Sequence, residues 1–183
     1  MNADTPGPAR PLWQQAVSFA LRAHAGQTRN DTITPYAAHV VRVALTVRDL
    51  FGCDDRIALA AALLHDTIED TPTDYDDLAE RFGVEVADTV AALTKDMRHP
   101  EPEREIAYDQ ALAAAGWRAA LVKLADTYDN LCDLSSPSKR SRMIGRCRRA
   151  LAIAEPWRDE HVSIARGMDL LEALIADETA RDG

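Results

Sequence analysis

The residues of this chain best placed to do chemistry lie in the string HDTIEDT at positions 65 to 71. A stretch that is apolar from Ile57 to Leu64 gives way there to His65, Asp66, Glu69 and Asp70. Charged side chains are rarely buried unless they are paired or bound to metal, so four polar groups delivered from an apolar run to one place are informative. At about 100° per residue, His65 and Glu69 share one helix face and Asp66 and Asp70 the adjacent one. Neighbouring His and Asp then point in different directions. Both reach one ion only if it sits near the helix end and other elements complete the shell. Two further residues could do so: His39, on the apolar stripe of an earlier segment, and Asp126, which follows the stretch AALVKLA. Two imidazoles and two carboxylates form a nitrogen and oxygen set suited to Mn²⁺, Fe²⁺ or Zn²⁺, with positions left for water. A divalent ion held there would lower the pKa of water toward neutrality and polarise a phosphoryl oxygen.

Each residue also has an ordinary reading. A lone His on an apolar stripe is more often a satisfied core histidine, and a lone Asp is usually salt-bridged or exposed. Asp66 could close a helix, although a negative charge there opposes the macrodipole. Glu69 and Asp70 could be a solvated helix end before Pro72. Four such oddities in one chain are harder to dismiss together than singly.

The elements that must position these residues read as helices. Pro11 to Ala25 places Trp13, Val17, Ala20, Leu21 and His24 near helical spacing and is closed by Gly26. The polar stretch 27–35 is an expected loop. Tyr36 to Phe51 carries His39, Val40, Val43, Ala44, Val47 and Leu50 as one stripe before Gly52. Asp54 or Asp55 can cap a third helix over 56–69, apolar nearly all round and so central. Further helices are expected at 74–82, 84–94, 103–114, 117–132, 140–154 and 158–178, with polar breaks such as 94–102. No stretch alternates as a sheet strand would. The expectation is an all-α fold: a disordered tail over 1–10, then one domain over 11–183.

Composition narrows the function classes. The chain has 183 residues, of which 46% are hydrophobic, enough for a sizeable core. Aromatics are only 5%, which favours helices over sheets. The net charge of −9 gives no electrostatic reason for bulk nucleic-acid or membrane binding. The apolar run 57–64 is too short to span a bilayer, and the N-terminus lacks the apolar core of a secretory signal, so the cytoplasm is the expected setting. Cys53, Cys132 and Cys147 are odd in number with no CxxC spacing, and are read as packed thiols.

The order His39, His65-Asp66, Asp126 resembles the HD-domain metal phosphohydrolases. Longer strings narrow the match: AHAGQTR (23–29), TPYAAHVVRVA (34–44), AALLHDTIEDT (61–71), FGVEVADTVAALTK (82–95) and VKLADTYDNLCDL (122–134) are similar to the hydrolase domain of RelA/SpoT-type enzymes. The likeness covers about residues 12–134, and with so little chain left over the chain resembles a stand-alone small alarmone hydrolase rather than the long bifunctional synthetase-hydrolase. It implies hydrolysis of the 3′-pyrophosphate of ppGpp or pppGpp to GDP or GTP plus pyrophosphate, with Mn²⁺ as the usual metal. It implies His39, His65, Asp66 and Asp126 as metal ligands in a single-ion helical bundle. Glu69 and Asp70 would orient and deprotonate the attacking water.

For substrate contacts the resemblance implies Arg29, whose guanidinium can stack on a base or pair with phosphate, and Asn130, four residues after Asp126. The chain departs from the pattern at Asn30, where relatives often carry Lys, and at Thr127, where a basic residue usually follows KLAD. Tyr36 reads as packing rather than pocket lining. From Lys139 to Arg149 six basic residues occur with no acid between Leu134 and Ala154. Most read as a solvated face, and Arg146 is the one expected to reach the 5′-phosphates. Two rivals remain at this level: an HD phosphohydrolase on another nucleotide, such as an adenine alarmone or a nucleoside monophosphate, and a catalytically silent alarmone-binding protein.

Overall fold

Helix α3 (Arg56–Leu64) is the element the others surround, as its apolar composition requires: every residue from Ile57 to Leu64 except Leu59 is buried. Its start is fixed by Asp55, whose Oδ1 accepts from the amides of Ile57 and Ala58 at 3.0 and 2.8 Å. The same carboxylate takes a two-pronged bond from Arg118, at 2.9 Å on each oxygen. Arg118 begins helix α8 (Trp117–Cys132), so one acid caps the first buried helix and ties it to the second.

The computed structural model describes residues 10–134 and 137–180. Within them α1 (Leu12–Ala23), α2 (Ala37–Leu45), α6 (Val84–Leu93) and α8 pack on α3, while α9 (Arg140–Ala154) and α10 (Val162–Ala180) pack on α8. Helix α5 (Tyr75–Phe82), opened by a capping box between Asp74 and Asp77, lies on α6. Helix α7 (Glu101–Ala114), with Pro102 in its first turn, bridges α6, α8 and α9. The only extended pairing among the described residues is an isolated bridge between Thr28 and Pro35. The all-α expectation holds. No helix among these residues is long and apolar enough to cross a membrane.

Three expected helices come out differently. The third stops at Leu64, turns through His65 and Asp66, and resumes as α4 (Thr67–Asp70). Asp66 there adopts φ −99° and ψ 0°, and the Thr67 hydroxyl takes the Leu64 carbonyl at 2.7 Å, capturing an oxygen that the helix would have used. The second helix ends in a wide π turn over Thr46–Leu50, with the Phe51 amide bonded to the Thr46 carbonyl at 2.9 Å. The last begins at Val162 rather than 158, because a 3₁₀ turn at Glu155–Trp157 containing Pro156 intervenes. Cys53 and Cys147 are buried as expected, but Cys132 is exposed near the end of α8. Apart from Arg10, the expected tail lies outside the described residues.

Phe51 is buried against Gly167 of α10, where an added Cβ would stand 2.9 Å from the ring. Gly167→Ala is therefore expected to cost about 1–3 kcal/mol in a denaturant titration. Gly145→Ala, in α9 with nothing within 4 Å, should instead stabilise by about 0.4–1 kcal/mol. Equal effects of the two would contradict this packing.

Candidate metal centre and active site

The break after Leu64 settles the directional problem of a His next to an Asp. The Nε2 of His65 and the Oδ2 of Asp66 stand 3.0 Å apart, facing the same space. From α2, His39 Nε2 lies 3.5 Å from Asp66 Oδ2 and 3.4 Å from Asp126 Oδ1. From α8, Asp126 Oδ1 lies 3.7 Å from His65 Nε2. An ion about 2.0–2.2 Å from each ligating atom would set neighbouring atoms roughly 3–3.6 Å apart, so these spacings suit one cation. His39, His65 and Asp126 are all buried and form a group able to hold a metal. Asp66 borders it from a more open position, its side chain 18% exposed.

The tautomers favour the same conclusion. His65 Nδ1 donates to the Ala62 carbonyl at 2.8 Å and His39 Nδ1 donates to Asp129 Oδ2 at 2.7 Å, which turns both Nε2 lone pairs toward the cluster. His65 Nε2 is buried and makes no hydrogen bond, since the nearby Asp66 oxygen is not aligned with it. A buried nitrogen left over beside two carboxylates is what a metal ligand looks like without its ion.

Electrostatics add a charge argument. Burial opposes protonation of His39, yet hydrogen bonds to Asp126, Asp129 and Asp66 push its pKa up to about 9. His65 is raised well above the ordinary range despite burial, chiefly by Asp66 and then Asp126. Asp66 and Asp126 are held well below the carboxylate range: burial works against this, but the imidazoles, and Lys123 for Asp126, outweigh it. The pocket draws positive charge to itself. Lys123 Nζ binds Asp126 Oδ2 at 2.9 Å, and Arg42 grips Asp129 through both oxygens at 2.6 and 2.9 Å. Asp66 has no such cation. Its Oδ2 accepts the Tyr36 hydroxyl at 2.5 Å and otherwise faces the two imidazoles.

Glu69 and Asp70 behave oppositely. They stand at the open rim, with pKa values raised first by partial burial and then by the charge of Asp66. Glu69 Oε2 accepts the main-chain amide of Lys95 at 2.9 Å. Carboxylates pushed apart in this way divide into those that keep their charge and those that can take a proton.

Arg29, Asn130 and Arg146 line one cavity of about 280 Å³, together with Asn30, Lys139 and Arg142. Arg29 donates to Asn130 Oδ1 at 2.8 Å and to Asp133 Oδ2 at 3.0 Å, and lies 5.5 Å over the Tyr36 ring. Asn130 in turn donates to Asp126 Oδ1 at 2.5 Å, so the cavity abuts the cluster. The basic run in α9 is largely solvated, as expected, with Arg142, Arg148 and Arg149 exposed, but several of its arginines also carry ion pairs. Arg142 binds Glu101 at 2.7 Å and Arg149 binds Glu105 at 2.6 Å, both on α7, while Arg140 binds Glu178 at 3.1 Å. Thr127 is buried and bonds back to the Lys123 and Leu124 carbonyls.

Sequence reasoning missed several supporting groups. Tyr36 is not mere packing: its hydroxyl meets Asp66 and its ring sits between His24 and His39. Asp129 and Arg42 lie three residues after Asp126 and His39, and that shared helical offset was the signal available. Lys123, three residues before Asp126, had the same helical offset, whereas Lys95 carried no signal, since only the fold brings it near Glu69.

A family model described as HD domain matches residues 16–151. The chain is 40% identical over 122 residues to guanosine-3′,5′-bis(diphosphate) 3′-pyrophosphohydrolase MESH1 of Homo sapiens, covering 66% of this chain and 68% of that one. It is 36% identical over 163 residues to the Xenopus tropicalis protein of the same name, covering 88% and 89%. It is also 37% identical over 152 residues to the bifunctional (p)ppGpp synthase/hydrolase SpoT of Escherichia coli strain K12, covering 78% of this chain and 21% of that one. A solved structure, reported as a metazoan ortholog of SpoT that hydrolyzes ppGpp and plays a role in starvation responses, matches with a TM-score of 0.76. Its identity is 26%, over 94% of this chain and 96% of that one.

Because a cation must displace protons from the two imidazoles, its affinity should rise with pH toward and through the His39 value of about 9. Calorimetry in buffers of different ionisation enthalpy should register proton release on binding a divalent cation near neutral pH. Affinity independent of pH would contradict this charge balance.

Proposed function

The chain belongs to the HD-domain family, and from that premise we propose that it hydrolyses the 3′-pyrophosphate of ppGpp or pppGpp, yielding GDP or GTP and pyrophosphate. The observation that carries this reading is the convergence of His39, His65, Asp66 and Asp126 within 3.0–3.7 Å, beside a carboxylate pair of raised pKa. The relatives named above supply the substrate class, since their names specify this reaction. Residues 11–183 are proposed to form one phosphohydrolase domain.

We assign His39, His65, Asp66 and Asp126 as the ligands of one divalent ion, with Mn²⁺ as the metal. When bound, the ion supplies Lewis acidity toward water and the phosphoryl oxygens. The protein's own residues do the rest. Glu69 and Asp70, at the rim, take the proton from the attacking water. Water adds to the phosphorus nearest the ribose, the bond from that phosphorus to the 3′-oxygen breaks, and the ribose oxygen gains a proton as pyrophosphate leaves. Asp129, held by Arg42, fixes the His39 ring, and Tyr36 orients the Asp66 carboxylate.

The adjoining cavity suits the nucleoside and its 5′-phosphates. Arg29 and Asn130 form the wall nearest the cluster. Arg146 stands between this cavity and a smaller one lined by Lys95 and Lys123, and among the described residues it makes no ion pair of the kind that occupies Arg142 and Arg149. It is therefore the cation assigned to the 5′-phosphates. The substrate is a small nucleotide, in keeping with an acidic chain that has no electrostatic reason to bind nucleic acid or membranes. Its unpaired thiols fit the reducing cytoplasm as the setting.

Purified protein with Mn²⁺ should release pyrophosphate from ppGpp in preference to its adenine analogue and simple nucleoside monophosphates; inert metal-loaded protein would reject the activity. Asp66→Ala should lose the metal, whereas Glu69→Ala should keep it and lose turnover. Equal metal loss in both would reverse the division of roles. Arg146→Ala should raise KM for ppGpp about tenfold or more, as expected for a lost charge-assisted phosphate contact, and an unchanged KM would remove Arg146 from the site.

A further inference from the structure

Glu69 is held by a main-chain group in the loop after α6, which runs from Thr94 to Pro100. Its ends are tied, Thr94 to the Val90 and Ala91 carbonyls at 2.9 and 3.2 Å and the His99 carbonyl to Arg104 at 3.3 Å. Between them Met97, the large apolar side chain, is 63% exposed and adds no packing. The side chain that ties the loop beside Glu69 to α7 is that of Lys95. Its amide donates to Glu69 Oε2 at 2.9 Å, while its ammonium donates to Glu105 Oε1 of α7 at 2.6 Å and lies 5.1 Å from the Tyr108 ring. The other oxygen of Glu105 accepts from Arg149 of α9 at 2.6 Å. Glu105 is thus clamped between a stable helix and the residue whose backbone touches Glu69. Burial opposes its ionisation, but Lys95 and the arginines outweigh that and keep its pKa below the ordinary range.

We propose that Glu105 is a positioning residue for the hydrolysis: by gripping the Lys95 ammonium it holds the Lys95 amide against Glu69 and so fixes the carboxylate that faces water. This rests on the reading of Glu69 as a proton acceptor given above. Glu105 touches neither the metal-ligand cluster nor the nucleotide cavity, so its effect must pass through Lys95. A short charge-assisted bond at a half-buried position is strong enough to set the loop, whereas an exposed pair would not be.

The test is a set of variants measured for ppGpp kinetics, manganese content and hydrogen exchange. Glu105→Ala and Lys95→Met should each lower kcat about tenfold, with KM little changed and one manganese still bound per chain. Exchange of the Lys95 amide should quicken in both. The double variant should be no slower than either single one, since both cut the same tie. Glu105→Gln keeps an oxygen for Lys95 and should restore most of kcat, and Arg149→Ala, which leaves Lys95 held, should retain it. Wild-type kcat and unchanged Lys95 exchange in Glu105→Ala, or losses that multiply in the double variant, would overturn the proposal. If the wild-type protein proves inert toward ppGpp, the assigned reaction falls, and unchanged exchange would then separately reject the Glu105 clamp.

Discussion

The structure depends on keeping three carboxylates, Asp66, Asp126 and Asp129, around two imidazoles at the end of a buried helix. Like charges so close and so poorly hydrated repel each other unless cations stand among them. Arg42 answers for Asp129 and Lys123 for Asp126, which leaves the space in front of Asp66 short of positive charge. The lone pairs of His39 and His65 point into that same space. A divalent cation there would complete the balance, and the surrounding contacts hold the groups that face that space.

Rigidity comes from ties between the helices that carry the cluster, together with local partners such as the Ala62 carbonyl for His65 and Lys123 for Asp126. Asp55 fixes the start of α3 and ties it to α8 through Arg118, so the helices that deliver His65 and Asp126 cannot slide past each other. Asp129 and Arg42 do the same between α8 and α2. The wall of the adjoining cavity is continuous with this network, because Asn130 connects Arg29 to Asp126. A change of position at that wall would thus be felt at the cluster. Helix α7 contributes from the opposite side, where its acids absorb the arginines of α9 and its Tyr108 ring lies within 5.1 and 5.3 Å of the two lysine ammoniums.

Much of this was legible in the sequence where local pattern and chemistry agree. The all-round apolar character of 57–64 marked the central helix, and the burst HDTIEDT at its end marked the site. The break at His65-Asp66 was not legible, because its cause is a Thr67 hydroxyl competing for a carbonyl and a bend that tertiary contacts sustain. The π turn before Phe51 was not legible either: the stripe His39 to Leu50 fits an α-helix, and nothing in its spacing marks the wider turn. Tyr36 was misjudged because an aromatic next to Pro35 looks like packing until Asp66 is placed beside its hydroxyl. The basic face of α9 is solvated as read, but its ion pairs were not legible because the partners, Glu101, Glu105 and Glu178, lie at least 38 residues away in the chain.

The central claim is that one cation organises these groups, and crystals soaked in manganese would test it most directly. Anomalous scattering at the manganese edge should give a single strong peak coordinated by His39 Nε2, His65 Nε2 and oxygens of Asp66 and Asp126. Absence of a peak there, or one held instead by Glu69 and Asp70 at the rim, would contradict the account.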